Sequence, residues 1–216
     1  MSVNLRKGEK ISLTKEGLGL RRVMVGLGWD EAQPAGRGLF SALFASKPQD
    51  IDCDASCILC GEDGKVISPD VKSCCVYFGN LRHASGAIVH QGDNLTGNGE
   101  GDDEQIMVDL SLLPPQVQKL VFVVNIYDAN VRRQHFGMIR NAFIRLVDMS
   151  KNSEICRFNL TEDYSGMTGM VVGEIYRRGS EWKFNAIGDA FDHSDSGMYN
   201  SNLCLTIKKI ITSYTK

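Results

Sequence analysis

Short apolar runs separated by turn-forming residues recur along the whole chain. The runs are rich in Val, Ile, Phe and Tyr, and Gly, Asn, Asp or Ser stand between them, as is typical of β-strands. This pattern predicts strands at 22–28, 50–60, 74–78, 85–91, 105–110, 119–127, 142–149, 154–160, 170–178 and 181–188. Strands at this spacing favour a mainly β, single-domain β-sandwich with few short helical turns over alternating βαβ units.

Two of these runs carry further detail about which faces are buried. Residues 120–124 are apolar at every position, as expected for a central strand covered on both faces. Residues 142–148 alternate instead, with Ile144 and Leu146 on one face and Arg145 on the other. The sandwich is therefore expected to contain at least one strand that is buried on both sides.

Helix is scarce in the pattern. One helical turn is predicted after Ser111, where Pro114 and Pro115 suit a helix entry, and another within residues 131–141. Residues 31–48 form a predicted variable loop around a short apolar patch, and residues 192–216 form a divergent C-terminal extension. The β-sandwich domain is accordingly expected to span residues 1–191.

Composition narrows the class of protein. The 216 residues are 43% hydrophobic, which suffices for a sizeable core. No apolar run approaches the roughly 18 residues of a membrane span, and the N-terminus lacks the apolar core of a signal peptide. A net charge of −2 disfavours direct nucleic-acid binding. We therefore expect a cytoplasmic protein without a transmembrane segment.

The small net charge conceals an uneven distribution. Between Arg82 and Lys119 there is no Lys or Arg, but there are six acidic residues, so this stretch carries −6. The remaining 24 basic and 20 acidic residues give +4. Negative charge is thus concentrated in one segment.

Five of the seven cysteines lie between residues 53 and 75. Strand alternation places Cys53 and Cys57 on one face and Cys60 on the other, so the Cys57-x-x-Cys60 pair would point apart. A Cys-x-x-Cys metal turn cannot tolerate that arrangement. We favour reduced core cysteines over a metal or redox site, although the sequence leaves both open.

The chemically informative segment is the acidic, glycine-rich stretch 92–104. Crowded carboxylates repel one another, so a folded loop that gathers them needs a cation. Ca²⁺ takes six to eight oxygen ligands from carboxylates, amides and carbonyls, and the alternating glycines permit tight folding. A solvated acidic loop is the alternative. The polar residues of this stretch are Asp93, Asn94, Thr96, Asn98, Glu100, Asp102, Asp103 and Glu104.

Spacing rules out two familiar calcium motifs. With Asp93 at position 1 of an EF-hand loop, position 3 is Leu95 and position 6 is Asn98, where glycine is required. A calcium-binding repeat solenoid needs several copies, and this motif occurs once. Asp30, Asp52 and Asp54 lie near predicted strand ends and could join the site; the alternative for Asp52 and Asp54 is an edge strand blunted by charge.

Five motifs in order resemble the TerD-type tellurium-resistance and stress proteins. They are Gly26-Leu-Gly-Trp-Asp30, Asp52-x-Asp-Ala-Ser56, Gly92-Asp-Asn-Leu-Thr-Gly97, Gly101-Asp-Asp-Glu104 and Gly173-Glu-Ile-Tyr176. The resemblance covers residues 1–191 and is nearest to the longer, TerZ- or TerX-like members. Asn141-Ala-Phe-Ile-Arg-Leu-Val147 and Trp182-Lys-Phe184 extend it.

The resemblance implies a calcium-binding β-sandwich of the bacterial cytoplasm that takes two calcium ions. It implies a non-catalytic role in stress responses that include tellurite resistance. Other tellurium-resistance proteins of a membrane-associated complex would be its partners, which would place it peripherally at the inner membrane face. The implied metal ligands are Asp30, Asp52, Asp54, Asp93, Asn94, Thr96, Asp102, Asp103 and Glu104.

Two other function classes stay open from the sequence. The first is a calcium-dependent small-ligand module that binds a nucleotide, although no phosphate-binding glycine motif is present. The second is a metal- or thiol-dependent enzyme, for which His90 is the nearest acid–base candidate in sequence; a structural hydrogen bond is its alternative. The apolar cluster within residues 35–47 suggests either a partner surface or a loop packed on the sandwich.

Overall fold

The computed structural model describes residues 2–14, 19–31, 51–92 and 101–192. Within them, strands predominate and the helices are single turns. The helices are α1 (Val71–Cys74), α2 (Ala129–Arg132) and a 3₁₀ turn (Phe136–Met138). The strands are β1 (Val3–Leu5), β2 (Lys10–Ser12), β3 (Arg22–Glu31), β4 (Cys53–Cys60), β5 (Cys75–Val76), β6 (Ile88–His90), β7 (Glu104–Asp109), β8 (Lys119–Ile126), β9 (Ile139–Asp148), β10 (Ser153–Asn159), β11 (Gly169–Arg178) and β12 (Glu181–Phe191).

The strands form two six-stranded sheets that enclose one main core. Sheet A has the order β1-β10-β9-β3-β7-β6, and sheet B has the order β2-β12-β11-β8-β4-β5. All strand pairs are antiparallel except β1 with β10. Side chains from both sheets build the core. The predicted mainly β sandwich is therefore confirmed.

The predicted burial of β8 on both faces and the predicted alternation of β4 are also confirmed. Alternate residues of β4, beginning with Cys53, enter the main core between the sheets. Ile58 and Cys60 instead belong to a second apolar cluster on the outer face of sheet B. Val121 and Val123 of β8 join that second cluster, while Phe122 faces the main core. Sheet B is thus covered on both faces at its centre.

Several short elements differ from the prediction. Strands β1 and β2 and helix α1 were not predicted, since segments of three or four residues are too short to display a period. No helix follows Ser111; the chain makes a turn there, closed by a 2.9 Å hydrogen bond from Val117 N to Pro114 O. Helical turns do occur at 129–132 and 136–138, overlapping the predicted 131–141 segment.

Some predictions fall on parts of the chain outside the described residues. These are the apolar patch within the 31–48 loop, the extension after residue 192, and the loop positions Asp93, Asn94 and Thr96. Among the residues described, no helix is long and apolar enough to cross a membrane.

Candidate metal centre

Acidic residues from both sheets lie at one end of the sandwich. β3 runs antiparallel to β7, so that Leu27 pairs with Glu104 and the end of β3 adjoins the start of β7. β4 begins at Cys53 and approaches β7 from the opposite sheet. Asp30 on β3, Asp52 and Asp54 around the start of β4, and Asp103 and Glu104 at β7 therefore share this end.

The fully buried thiol of Cys53 lies close enough to four of these carboxylates for their charge to act on it. Burial raises the pKa of Cys53 well above its ordinary value, and four negative charges raise it further. Two of these, Asp52 and Asp54, belong to its own strand segment, whereas Asp103 and Glu104 come from the opposite sheet. We call these four carboxylates, which come from both sheets, the inter-sheet acidic cluster.

Asp103 experiences the excess of negative charge directly. Burial raises its pKa above the ordinary value, the Trp29 backbone N–H lowers it, and the carboxylates of Asp30, Asp102 and Glu104 raise it again. The hydrogen bond from Trp29 N to Asp103 Oδ2 is 2.8 Å long and fixes this carboxylate at the end of β3. A bound cation would relieve the repulsion that raises the Asp103 pKa.

Asp52 and Asp54 are buried at 7% and 4% exposure, and each has a polar neighbour. Arg132 approaches Asp52 with 3.6 Å between Nη1 and Oδ2, and the Arg132 guanidinium also lies 5.0 Å above the Tyr127 ring. Asn125, which pairs with Asp54 across the sheet, donates to Asp54 Oδ2 at 3.4 Å. These neighbours orient the two carboxylates at the start of β4.

Asp30 is oriented from β9. Asn141 donates from its side-chain amide to Asp30 Oδ2 at 2.8 Å. Asn141 has a left-handed φ of 53°, which asparagine tolerates better than most residues. It lies beside the register shift between β3 and β9, at Gly28 and Asp30. The register shift thus directs the Asn141 side-chain amide toward the Asp30 carboxylate.

Glu104 is buried beside His90. Its Oε2 lies 2.7 Å from His90 Nε2, and the two side chains are 1% and 0% exposed. Although the atoms are close, the ring N–H direction is outside hydrogen-bond geometry. His90 Nδ1 accepts from the Gly92 backbone N–H at 3.2 Å, which assigns the proton to Nε2. The geometry accords with a structural role for His90 at the start of the acidic loop.

Asp102 is held differently, on the outer face of sheet A. Arg145 binds its carboxylate through two contacts, from Nε to Oδ1 at 2.7 Å and from Nη2 to Oδ2 at 2.9 Å. The Asp102 side chain is 0% exposed. It rests on Gly26, where an added Cβ would lie 2.3 Å from Asp102 Cγ. Asp102 therefore anchors the end of the acidic loop to β3 and β9.

The structure thus brings together only part of the predicted ligand set. The inter-sheet acidic cluster lies close to Cys53, Asp30 adjoins Asp103, and Asp102 faces Arg145. Within the described ranges, no three His, Cys, Asp or Glu side chains are placed to hold a metal ion by themselves. The donor set is nevertheless composed of carboxylate oxygens, which favour hard cations such as Ca²⁺.

Sequence reasoning did not identify Arg145 and Asn141 as partners of the predicted acids. Both lie in the motif 141–147, which contributed to the family resemblance. Strand alternation placed Arg145 opposite Ile144 and Leu146, hence on the outer face. The link to Asp102 depends on strand order, because Arg145 pairs with Gly26 across β3 and β9.

Comparison with known proteins identifies the family. A family model described as TerD domain matches residues 1–200. The stress response protein SCP2 of Bacillus subtilis is 52% identical over 189 residues, which cover 88% of this chain and 92% of that protein. The tellurium resistance protein TerX of Serratia marcescens is 40% identical over 214 residues, or 94% of this chain and 98% of that protein.

A solved structure shares the fold. It is that of a homologue of the telluride resistance protein TerD from Streptomyces coelicolor A3(2), with a TM-score of 0.60 and 21% sequence identity. The similarity covers 89% of this chain and 98% of that one. At this identity the match bears on the fold alone.

Proposed function

This chain belongs to the TerD-domain family of tellurium-resistance and stress-response proteins, and we propose that it is a calcium-binding, non-catalytic member. The observation that carries this proposal is that both sheets place carboxylates at one end of the sandwich, where Asp30, Asp102 and Glu104 raise the pKa of Asp103 in addition to the effect of burial. These carboxylates repel one another in a partly buried site, and a divalent cation would offset that repulsion.

In this proposal the cation is shared between strands and loop. Asp30, Asp52, Asp54, Asp103 and Glu104 would supply carboxylate oxygens from the sandwich, and Asp93, Asn94 and Thr96 would complete the coordination from the loop. A bound Ca²⁺ would be coordinated by carboxylates of the loop and of both sheets at the same time. Two ions suit the number of oxygen donors, given six to eight ligands for each.

Asp102 stays among the predicted ligands, but its position imposes a condition. Its carboxylate already forms two hydrogen bonds with Arg145. To ligate a cation it must give up or share that ion pair. We therefore expect substitution of Asp102 to reduce mainly the stability of the fold. Substitution of Asp54 or Asp103 should reduce mainly the calcium affinity.

Calorimetric titration and thermal melting with calcium or with a chelator test the proposal. Calcium at 100 times its dissociation constant should stabilise the fold by about 2.7 kcal/mol. We expect the double variant Asp54→Asn, Asp103→Asn to lose most of this gain. Asp128→Asn is a matched control, because Asp128 makes no capping hydrogen bond at α2. Absence of both a binding heat and a melting shift in the unmodified protein would overturn the proposal.

The cysteines give little support to a thiol-based enzyme. The six cysteines of the described residues are all buried. Burial raises the pKa of Cys60 and of Cys156 to about 12 and also raises that of Cys57. Since the thiolate is the reactive form, these thiols are poor nucleophiles and poor reductants at neutral pH. A non-catalytic role is the simpler proposal.

A further inference from the structure

A cavity of about 390 Å³ lies between the two sheets beside the inter-sheet acidic cluster. Its inner wall is apolar and comes from both sheets, with Leu27 on sheet A and Val124, Met170 and Val172 on sheet B. Its mouth is polar, because exposed side chains that include Thr161 line it. Cys53 contributes to the wall nearest the cluster. This volume falls within the range typical of small-molecule sites. We call this space the inter-sheet cavity.

The rim of the inter-sheet cavity carries one cationic residue among those that line it, Arg140. Arg140 is exposed and forms no ion pair with any described residue. The acidic rim residues are already engaged: Glu162 contacts Lys7 at 3.2 Å, and Asp163 accepts from the Ser165 hydroxyl at 2.6 Å. Lys7 thus offsets the charge of Glu162, whereas Asp163 keeps its negative charge, and Arg140 is the cation of this lining that has no carboxylate partner among the described residues.

A second polar group belongs to the same lining. Trp29 is 5% exposed, and its buried indole N–H finds no acceptor in the parts of the chain that the structure describes. Buried polar groups in folded proteins are usually hydrogen-bonded. An acceptor delivered by a ligand would satisfy this donor. Arg140 and Trp29 both favour a ligand with an anionic, oxygen-bearing head.

We propose that the inter-sheet cavity binds a small amphipathic organic anion. The apolar body would lie between the sheets, and the carboxylate or phosphate head would lie at Arg140 within reach of Trp29. The apolar inner wall disfavours a ligand that is polar throughout, such as a free nucleotide. This site is separate from the proposed calcium centre and does not require it, although the two share the Cys53 wall.

Tryptophan fluorescence gives a direct test, since the chain has two tryptophans. In a Trp182→Phe variant Trp29 is the sole reporter. Octanoate and octyl phosphate serve as probes, with 1-octanol as the neutral comparison, and each is titrated with calcium and with chelator. We expect a saturable change of Trp29 emission, with either anion binding at least tenfold more tightly than octanol in both conditions.

Matched variants locate the site. Arg140→Gln should weaken octanoate binding about tenfold. Arg133→Gln is the matched control, because Arg133 is an exposed arginine at the end of α2 that does not line the cavity, and it should leave binding unchanged. Ala142→Phe should block the cavity. Thr161→Phe at the exposed rim repeats that test if Ala142→Phe fails to fold, and it leaves Trp29 as the sole tryptophan of the reporter variant.

Several results would overturn the inference. One is no saturable signal in the reporter variant together with no calorimetric heat in the unmodified protein. Equal affinity for octanoate and octanol, or unchanged binding in Arg140→Gln, would remove the anion site. Unchanged binding in both blocking variants would place the ligand elsewhere. Binding of AMP in preference to both octyl compounds would reject an amphipathic ligand. Loss of calcium binding alone affects none of these readouts.

Discussion

At the scale of single residues, two glycines of β3 decide how the acidic segment meets the sandwich. A Cβ at Gly26 would overlap the Asp102 carboxylate, and one at Gly28 would lie 2.5 Å from ring carbons of Phe143. Neither glycine has a positive φ, so space and not backbone conformation is the reason for glycine. The motif Gly26-Leu-Gly28 therefore serves to admit side chains from neighbouring segments.

The first prediction concerns Gly26→Ala. The added methyl would displace Asp102 from Arg145, and breaking a buried ion pair leaves an uncompensated charge. We expect a loss of about 2 to 4 kcal/mol in the free energy of unfolding, measured by urea denaturation. Gly61→Ala is the control, because its nearest neighbour is the exposed Asp63 carboxylate at 3.3 Å. Similar losses in the two variants would contradict the packing explanation.

At the scale of elements, β8 and β4 gain stability from two apolar layers. The main core lies on one side of sheet B, and the second cluster, which includes Ile58, lies on the other under α1 and its neighbours. This strand pair is buried on both faces although it belongs to an antiparallel sheet. Its removal from water is therefore more complete than in a sheet with one solvated face.

The second cluster can be tested through Ile58, which is 0% exposed. Replacing a buried isoleucine by alanine typically costs about 2 to 5 kcal/mol, and we expect Ile58→Ala to fall in this range by denaturant unfolding. Val131→Ala on α2 is the comparison, since Val131 is 77% exposed and its loss should change stability by about 0.5 kcal/mol or less. A small effect at Ile58 would mean that the outer layer contributes little.

Elements with a clear period could be predicted from the sequence, and elements without one could not. The alternation of β4 and the unbroken apolar run of β8 each indicated the correct buried faces. β1 and β2 are three residues long, so no period could develop. Strand ends also differ from the prediction. β9 begins at Ile139 and not at residue 142, because the last two residues of β3 extend the pairing to Arg140 and Ile139.

At the scale of the whole molecule, three turns of the form Asp-x-Ser in the described part of the chain link stability to pH. In each, the aspartate Oδ1 accepts from the serine backbone N–H and hydroxyl, as at Asp148 and Ser150 with 2.8 and 2.6 Å. These hydrogen bonds lower the pKa of Asp148 and of Asp163. At Asp109 burial opposes the shift, but Ser111 and Arg22 still lower the pKa.

A group with a depressed folded pKa stabilises the fold above its unfolded pKa, and that contribution disappears as pH falls through the folded value. We therefore expect stability to decline below the ordinary aspartate pKa of 3.8. Asp148→Asn should cost roughly 1 kcal/mol at pH 6, and the difference should shrink toward pH 2. Urea midpoints across pH measure this. Asp103, whose pKa is raised, affects stability in the opposite direction. If the stability difference between Asp148→Asn and the unmodified protein did not change with pH, the lowered pKa of Asp148 would be contradicted.

The candidate site could be predicted only in part, for a physical reason. Clustered carboxylates and hard-cation chemistry are visible in the sequence because they depend on residue type. Which carboxylates lie together depends on strand order. Strand order places Asp103 near Cys53 of the opposite sheet, whereas it places Asp102 against Arg145. The inter-sheet cavity likewise arises from how the two sheets separate at one end, and no single segment encodes it.

The positions of β1 and β2 have a consequence for how the chain reaches this fold. β1 pairs with residues 156–158 on the edge of sheet A, and β2 pairs with residues 183–185 on the edge of sheet B. During synthesis these early strands must wait for strands made much later, and such long-range closure is slow. Until it occurs, both sheets keep an open edge exposed to intermolecular pairing. Each sheet therefore acquires one of its edge strands only after residues far along the chain have been made.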